Sequence, residues 1–156
     1  MAEVKFQTSE VIQAVAEKII DEHYPALVEA KSLIGYYLRE GAWSKAGSCK
    51  KTTAFERHLT GKMYFVVIND FAYQDFSEEQ LKALVDHELH HIERDQENPD
   101  VGDSEAWSIR DHDVEEFAAI IQRHGLWEHG VKRFAEACVD ADRQLTLADV
   151  GATTDE

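Results

Sequence analysis

The sequence predicts an α+β domain in which a small sheet of two to three strands packs on one functional helix, with three to four helices in all. Three observations carry this prediction: a strongly apolar run at 62–70, a helix-start signal at 77–80, and apolar residues at helical spacing elsewhere. A length of 156 residues suits one domain. We place that domain at residues 1–145 and expect residues 146–156 to form a polar C-terminal tail.

The first half of the chain is expected to hold one helix and two or three strands. Ser9 is placed to cap the helix, because apolar residues follow it at helical spacing and Pro25 lies just beyond them. An apolar stretch at 32–39 predicts a strand, and a weaker pattern at 50–59 predicts a second extended piece. The clearest strand is the run KMYFVVIND at 62–70.

The second half of the chain is expected to be mainly helical. The sequence Ser-Glu-Glu-Gln at 77–80 forms a capping box and predicts a helix that runs to about residue 94. A polar loop at 95–103 follows, with a proline and a glycine. The remaining elements are a short extended piece at 107–110 and helices at 113–124 and 126–139.

The charge is strongly acidic, since 16 Lys and Arg oppose 31 Asp and Glu and leave a net charge of −15. Such a surface repels phosphates and anionic lipid on average, so neither a nucleic acid nor a membrane partner is expected, although a local basic patch remains compatible with it. The chain shows no signal-peptide pattern and no apolar run of roughly 18 residues, so we expect a cytoplasmic protein. Cys49 and Cys138 form no C-x-x-C and are expected to be reduced thiols.

The chemistry is concentrated at residues 87–91, which read His-Glu-Leu-His-His and contain the pattern H-E-x-x-H. On a helix, side chains at i and i+4 lie about 40° apart and one turn up, so His87 and His91 can bind one zinc ion. Glu88 then lies beside the metal without binding it and can take a proton from an activated water.

The pattern alone could arise by chance in a chain with 8 histidines, so its helical context must also fit a metal site. On a helical wheel, Glu88 falls inside the apolar stripe. Burying an acid costs several kcal/mol unless it is paired or protonated, so this position indicates a functional role. His87 and His91 fall at one border of the stripe, whereas His90 points away beside Asp86 and is expected to be exposed. The stripe consists of Leu81, Leu84, Val85, Leu89 and Ile92.

A catalytic zinc ion requires a third protein ligand and an open position. His112 is the best candidate, because it stands just before the helix predicted at 113–124 and a loop of about twenty residues lets the chain return to the metal. Glu115 and Glu116 remain alternatives, either as a carboxylate ligand or as acceptors that orient a ligand imidazole.

The segments FVVIND, DHELHHIERD and IRDHDVEEF resemble the phage metallopeptidase family and, more widely, the small SprT-like zincins. The resemblance covers roughly residues 30–125. It implies an α+β fold, with His87, His91 and His112 as zinc ligands and Glu88 as the catalytic acid/base. SprT-like proteases with DNA-linked roles often add a zinc ribbon or a basic region. This sequence shows neither, so a DNA-dependent role is not carried over.

These observations together predict a zinc-dependent metallopeptidase that acts on a peptide or protein substrate, in an oligomeric state that the sequence leaves open. Tyr64, His90 and Arg110 are unranked candidates for stabilising the oxyanion, and the strand at 63–68 is a candidate edge to which an extended peptide could add. The alternative is a non-enzymatic acidic inhibitor or DNA mimic with a structural zinc ion. Replacing Glu88 with glutamine would distinguish the two, because only an enzyme would lose activity.

Overall fold

The computed structural model describes residues 3–113, 118–127 and 129–154, and the side chains up to residue 143 within these ranges. They fall into two compact units, Met1–Arg110 and Asp111–Glu156. The predicted α+β class is confirmed, since helices accompany a four-stranded sheet and a two-stranded sheet. The division into a domain at 1–145 and a tail at 146–156 stays a prediction.

The main sheet has four strands, whereas two to three were predicted. Its strands are β1 (Lys5–Thr8), β2 (Ile34–Glu40), β3 (Gly47–Lys51) and β4 (Tyr64–Asn69), in the spatial order β1-β2-β4-β3. The central pair β2 and β4 is parallel, and both outer strands pair antiparallel. The best strand of the sequence therefore lies at the centre of the sheet. Strand β1 was not predicted, because all four of its residues are exposed and it has no apolar alternation.

One face of this sheet forms the core with the first helix, α1 (Glu10–His23). The predicted cap is confirmed, since the Ser9 hydroxyl accepts a hydrogen bond from the Ile12 amide at 3.2 Å. Alternate residues of the two central strands point into the core, as the two-residue period of a strand requires. The buried residues of these three elements include Ile12, Ala16, Ile19, Ile20, Tyr36, Leu38, Val66 and Ile68.

The extended piece expected at 50–59 is wrong over its second half, where the chain forms the helix α2 (Ala54–Thr60). Thr53 and Glu56 cap this helix reciprocally, and Gly61 ends it in the left-handed region with φ of 71°. The capping box was visible in the sequence, but the helix is short and has no buried residue, so it carries no apolar stripe.

Two helices follow β4. The first, α3 (Asp70–Asp75), is capped by the side chain of Asn69, which accepts a hydrogen bond from the amide of Phe71. The second is α4 (Glu78–His90), which carries the H-E-x-x-H pattern. Its predicted capping box is confirmed, because the side chains of Ser77 and Gln80 each accept a hydrogen bond from the backbone amide of the other residue.

The helix α4 ends earlier than the predicted residue 94, because the next residues form a strand. The strands β5 (Ile92–Arg94) and β6 (Trp107–Ile109) pair antiparallel in a small second sheet. The polar stretch at 95–103 connects them together with one short 3-10 turn. The short extended piece predicted at 107–110 is confirmed, and its pairing partner was not foreseen.

In the second unit, the structure describes α5 (Ala118–His124) and α6 (His129–Thr154). Gly125 follows α5 with φ of 69°, as the predicted helix end requires. The last helix continues well past the expected end at Val139, since no proline or glycine interrupts residues 139–150. Among the described residues, none of the helices is long and apolar enough to cross a membrane.

Candidate metal centre

The end of α4 brings two histidines together on one side. The rings of His87 and His91 lie 5.2 Å apart between centroids and meet edge to face at 81°. The side chain of His87 is 51% exposed and His91 is half-buried, as expected for residues at the border of an apolar stripe. Two imidazoles are thus presented side by side at the surface of the first unit.

A backbone carbonyl fixes the orientation of the His91 ring. The Nδ1 atom of His91 lies 2.7 Å from the carbonyl oxygen of Arg110. Because a carbonyl only accepts hydrogen bonds, Nδ1 carries the proton and donates it. In that tautomer the lone pair that can bind a metal is on Nε2. The backbone hydrogen bond from the Arg110 amide to the His91 carbonyl, 2.6 Å long, holds the two residues in this position.

Glu88 is the exceptional residue of α4, because it is only 4% exposed on a helix face that is otherwise apolar. Its Oε1 atom lies 3.7 Å from Nε2 of His87. Its Oε2 atom is buried and has no hydrogen-bond partner among the described residues. Burial raises the pKa of the Glu88 carboxyl, and the charges of His91 and Lys45 oppose this rise. Its predicted place inside the stripe is confirmed.

The strand β3 passes the Glu88 side chain at Gly47, where Val67 and Ile68 leave little room for a Cβ atom. A Cβ atom on Gly47 would lie 3.4 Å from Cγ of Glu88 and 3.1 Å from the carbonyl oxygen of Val67. Sequence reasoning missed this residue, although a glycine near a strand is a known sign of close backbone approach. Cys49 lies on the same strand, where burial and the nearby Glu88 charge raise the pKa of its thiol to about 12.

Three histidines offer ring nitrogens that all lie within 4.8 Å of one another, namely His87, His91 and His112. Three imidazole ligands at about 2.0–2.1 Å from one tetrahedral zinc ion would have nitrogens roughly 3.3 Å apart. The cluster could therefore hold a metal ion. The alternative ligands Glu115 and Glu116 lie outside the described residues.

The structure separates the three oxyanion candidates. Tyr64 is a core residue with 1% exposure, and its hydroxyl donates to a backbone carbonyl at 2.5 Å. His90 is exposed as expected, with its Nδ1 atom 3.2 Å from the Tyr24 hydroxyl. Arg110 is half-buried and donates from Nη1 to the His90 carbonyl at 2.9 Å. Tyr64 therefore does not fit the role, because its hydroxyl is already engaged inside the core.

The expectation that the strand at 63–68 offers a free edge is wrong. It corresponds to β4, which pairs with β2 on one side and with β3 on the other. The strand beside Glu88 that lies at the edge of the sheet is β3. The side-chain ammonium of its last residue, Lys51, donates to the backbone carbonyls of Ser104 and Trp107 beside this edge.

A sequence model of the family described as "Putative phage metallopeptidase" matches residues 4–139. The chain belongs to this family. The family match extends the resemblance at both ends and covers most of the two units. This phage metallopeptidase family gives the histidine cluster a context, because its description implies a metal ion and a peptide or protein substrate. Neither the curated proteins nor the solved structures yield a match to the chain.

Proposed function

We propose that this protein is a zinc-dependent peptidase in which His87, His91 and His112 hold the metal and Glu88 is the general base and acid. The observation that carries the proposal is the buried Glu88 carboxylate, whose Oε2 has no partner among the described residues and whose neighbour is a histidine pair. Burying an acid without a hydrogen-bond partner is costly, and this cost fits a catalytic carboxylate whose partner is the reacting water.

The residues of this chain divide the work in the proposed mechanism. When bound, the zinc ion supplies Lewis-acid activation of a water molecule and of the scissile carbonyl. The Glu88 carboxylate accepts the proton of the attacking water and then delivers it to the leaving amine. The raised pKa of Glu88 suits both steps, since it makes the carboxylate a better base than an exposed glutamate. Arg110 holds His91 in the tautomer that binds through Nε2.

The position of Arg110 also supports His112 as the third ligand. The Arg110 backbone is bonded to that of His91, and two residues span at most about 7 Å. The chain at His112 is therefore kept close to His91 by its covalent connection alone. Glu115 and Glu116 follow His112 by three and four residues, so the chain allows them to lie farther from His91. The proximity of the three ring nitrogens supports the same assignment.

An extended peptide fits best as an added strand along β3. This strand lies at the sheet edge and directly over Glu88, so a peptide paired with Gly47–Lys50 would pass beside the histidine pair. Main-chain hydrogen bonds give such a peptide its orientation without requiring a particular sequence.

The test combines metal analysis with an unstructured protein substrate. Wild type is expected to bind one zinc ion per chain and to cleave the substrate until a chelator is added. Glu88→Gln is expected to keep its zinc and lose about 10²–10⁴-fold in rate. Glu93→Gln, on the exposed face of β5, is the matched control and should retain full activity.

Two results would contradict the proposal. If the protein still binds zinc after His87 and His91 are both changed to alanine, the proposed metal site is wrong. A metal-loaded wild type without hydrolysis, unaffected by Glu88→Gln, would favour the alternative of an acidic inhibitor or DNA mimic with a structural zinc ion.

A further inference from the structure

The loop at 41–46, which connects β2 to β3, carries a lysine next to the candidate metal centre. Lys45 lies two residues before Gly47, the residue at which β3 passes the Glu88 side chain. Burial raises the pKa of the Glu88 carboxyl, and the positive charge of Lys45 opposes this rise together with His91. A lysine is therefore available beside the group that is proposed to activate water.

A buried side chain fixes the backbone of this loop. Asn69, the last residue of β4, is 8% exposed and donates from Nδ2 to the carbonyl oxygens of Lys45 at 2.8 Å and Trp43 at 3.2 Å. Its backbone amide donates to the carbonyl oxygen of Ala46 at 2.8 Å. These three hydrogen bonds hold the loop against the end of a central strand. The backbone position of Lys45 is thus set by the sheet, although its side chain is exposed.

The Lys45 ammonium is available for a ligand. It makes no hydrogen bond and no ion pair with the part of the chain that the structure describes. Residues 41–55 contain no Asp or Glu, so the loop and β3 offer it no carboxylate. By contrast, Lys31 and Lys50 form ion pairs, and Lys51 donates to two backbone carbonyls. The N–H donors of Lys45 therefore remain for a group that enters the site.

We propose that Lys45 selects the substrate by binding a carboxylate group close to the scissile bond. This inference rests on the proposed function, in which a peptide pairs with β3 and its scissile bond lies beside Glu88. Two residues of an extended chain span about 7 Å, so a peptide that passes Gly47 comes to Lys45 about two residues farther on. The carboxylate belongs either to an Asp or Glu side chain or to the C terminus of the substrate, because an ammonium is a point charge that binds both.

A role of Lys45 that is limited to Glu88 leads to a different result. Loss of the ammonium would then change the rate for every peptide by the same factor, because Glu88 acts on the water in each reaction. A lysine that binds the substrate changes the rate only for peptides that carry the carboxylate. The comparison of matched peptides therefore separates the two roles.

The first experiment maps the bonds that zinc-loaded wild type cleaves in an unstructured protein substrate, by mass spectrometry of the products. The cuts should lie within about two residues of an Asp, a Glu or the C terminus. Two pairs of synthetic peptides are then made around a mapped cut. One pair differs by Glu against Gln at the acidic position, and the other by a free C-terminal acid against an amide. The pair that shows the larger difference identifies the source of the carboxylate.

The second experiment measures kcat/KM for these pairs. Wild type should favour the carboxylate peptide about 5-fold to 20-fold, between the contributions of an exposed ion pair and of a hydrogen bond to a charged group. Lys45→Met keeps the apolar stem and should remove this preference by slowing the carboxylate peptide alone. Lys45→Glu should instead favour a peptide with Lys at the same position. Lys82→Met, which changes an exposed lysine of α4, is the matched control and should keep the wild-type preference.

Binding of the same peptides to zinc-loaded Glu88→Gln, measured by fluorescence anisotropy, shows the preference without hydrolysis. Adding Lys45→Met to this variant should abolish it. Cuts that are unrelated to carboxylates, equal kcat/KM within both pairs, or an equal loss for all peptides in Lys45→Met would overturn the proposal and leave the proposed function intact. If no peptide is cleaved, the proposed function is wrong. A preference in binding that depends on Lys45 would then still support the carboxylate site, and its absence would refute that site as well.

Discussion

Replacing Glu88 with glutamine is expected to stabilise the metal-free protein at neutral pH. Glu88 is 4% exposed, and its Oε2 atom has no hydrogen-bond partner among the described residues. Glutamine has nearly the same shape without the charge, so it keeps the packing and removes the cost of a buried carboxylate. Stability and the proposed catalytic role thus place opposite demands on this position.

The sign of the effect depends on pH. Burial raises the pKa of Glu88 above its ordinary value, so the folded protein holds this proton more tightly than the unfolded chain. Below the unfolded pKa of about 4.3, the carboxyl is neutral in both states and costs no ionisation energy. As pH rises above this value, the unfolded state ionises first and the folded state loses stability relative to it. The difference between wild type and Glu88→Gln should therefore grow as pH rises above about 4 and level off above the folded-state pKa of Glu88.

The expected size follows from the surroundings of the carboxylate. A buried polar group without a partner costs about 1–3 kcal/mol, and more when it is charged. Glutamine remains a buried polar group, so only the additional cost of the charge is removed. The charges of His91 and Lys45 offset part of that cost, and we take about 1–3 kcal/mol for the remainder. For a chain of 156 residues, 1 kcal/mol corresponds to about 3–4 °C in Tm, so the variant should melt about 3–12 °C higher at pH 7–8.

Thermal melts followed by circular dichroism in the presence of a chelator measure this difference between pH 4 and pH 8. Glu93→Gln removes an exposed charge from β5 and should change stability by no more than about 0.5 kcal/mol at any pH. A lower Tm for Glu88→Gln than for wild type at pH 7, or a difference in Tm that does not vary with pH, would show that the Glu88 carboxylate is stabilised by polar partners in the folded protein. The cost assigned to Glu88 would then be wrong.

The remaining predictions concern the metal, the strand over Glu88 and the cysteines. A zinc concentration one hundredfold above its Kd should stabilise wild type by about 2.7 kcal/mol in thermal melts, and His112→Ala should abolish this shift if it is a ligand. Gly47→Ala should lower Tm, because its Cβ atom would press on Val67 and Ile68, and an unchanged Tm would show that β3 can move away. At pH 8 a thiol reagent should modify the exposed Cys138 quickly and Cys49 slowly, because the pKa of Cys49 is raised to about 12. Cys138→Ser should remove the fast phase.

The features that the sequence predicted correctly depend on neighbouring residues. The capping box before α4, the cap at Ser9 and the wheel position of Glu88 all follow from contacts within a helix turn. The clustering of His87 and His91 follows from their spacing alone. Such information is present in a single stretch of chain, so no knowledge of the tertiary fold is needed.

The features that the sequence did not predict depend on distant residues. The helix was expected to continue to residue 94, because Ile92 follows Leu89 at a spacing that also fits a helix. Pairing of β5 with β6 decides otherwise, and strands of three residues are too short to show a period. This pairing also supplies the Arg110 carbonyl that orients His91. The contact that orients His91 therefore became visible only with the fold.

The central strand β4 shows what a continuous apolar run can predict. Its continuous apolar run is typical of a strand covered on both faces. Within the Met1–Arg110 unit, Tyr64, Val66 and Ile68 are buried, whereas Phe65 and Val67 are only half-buried. A fully polar outer face would need no further explanation in an α+β domain. The outer face of β4 is instead apolar, so the continuous run in the sequence reflects residues on both faces, of which only one forms the core.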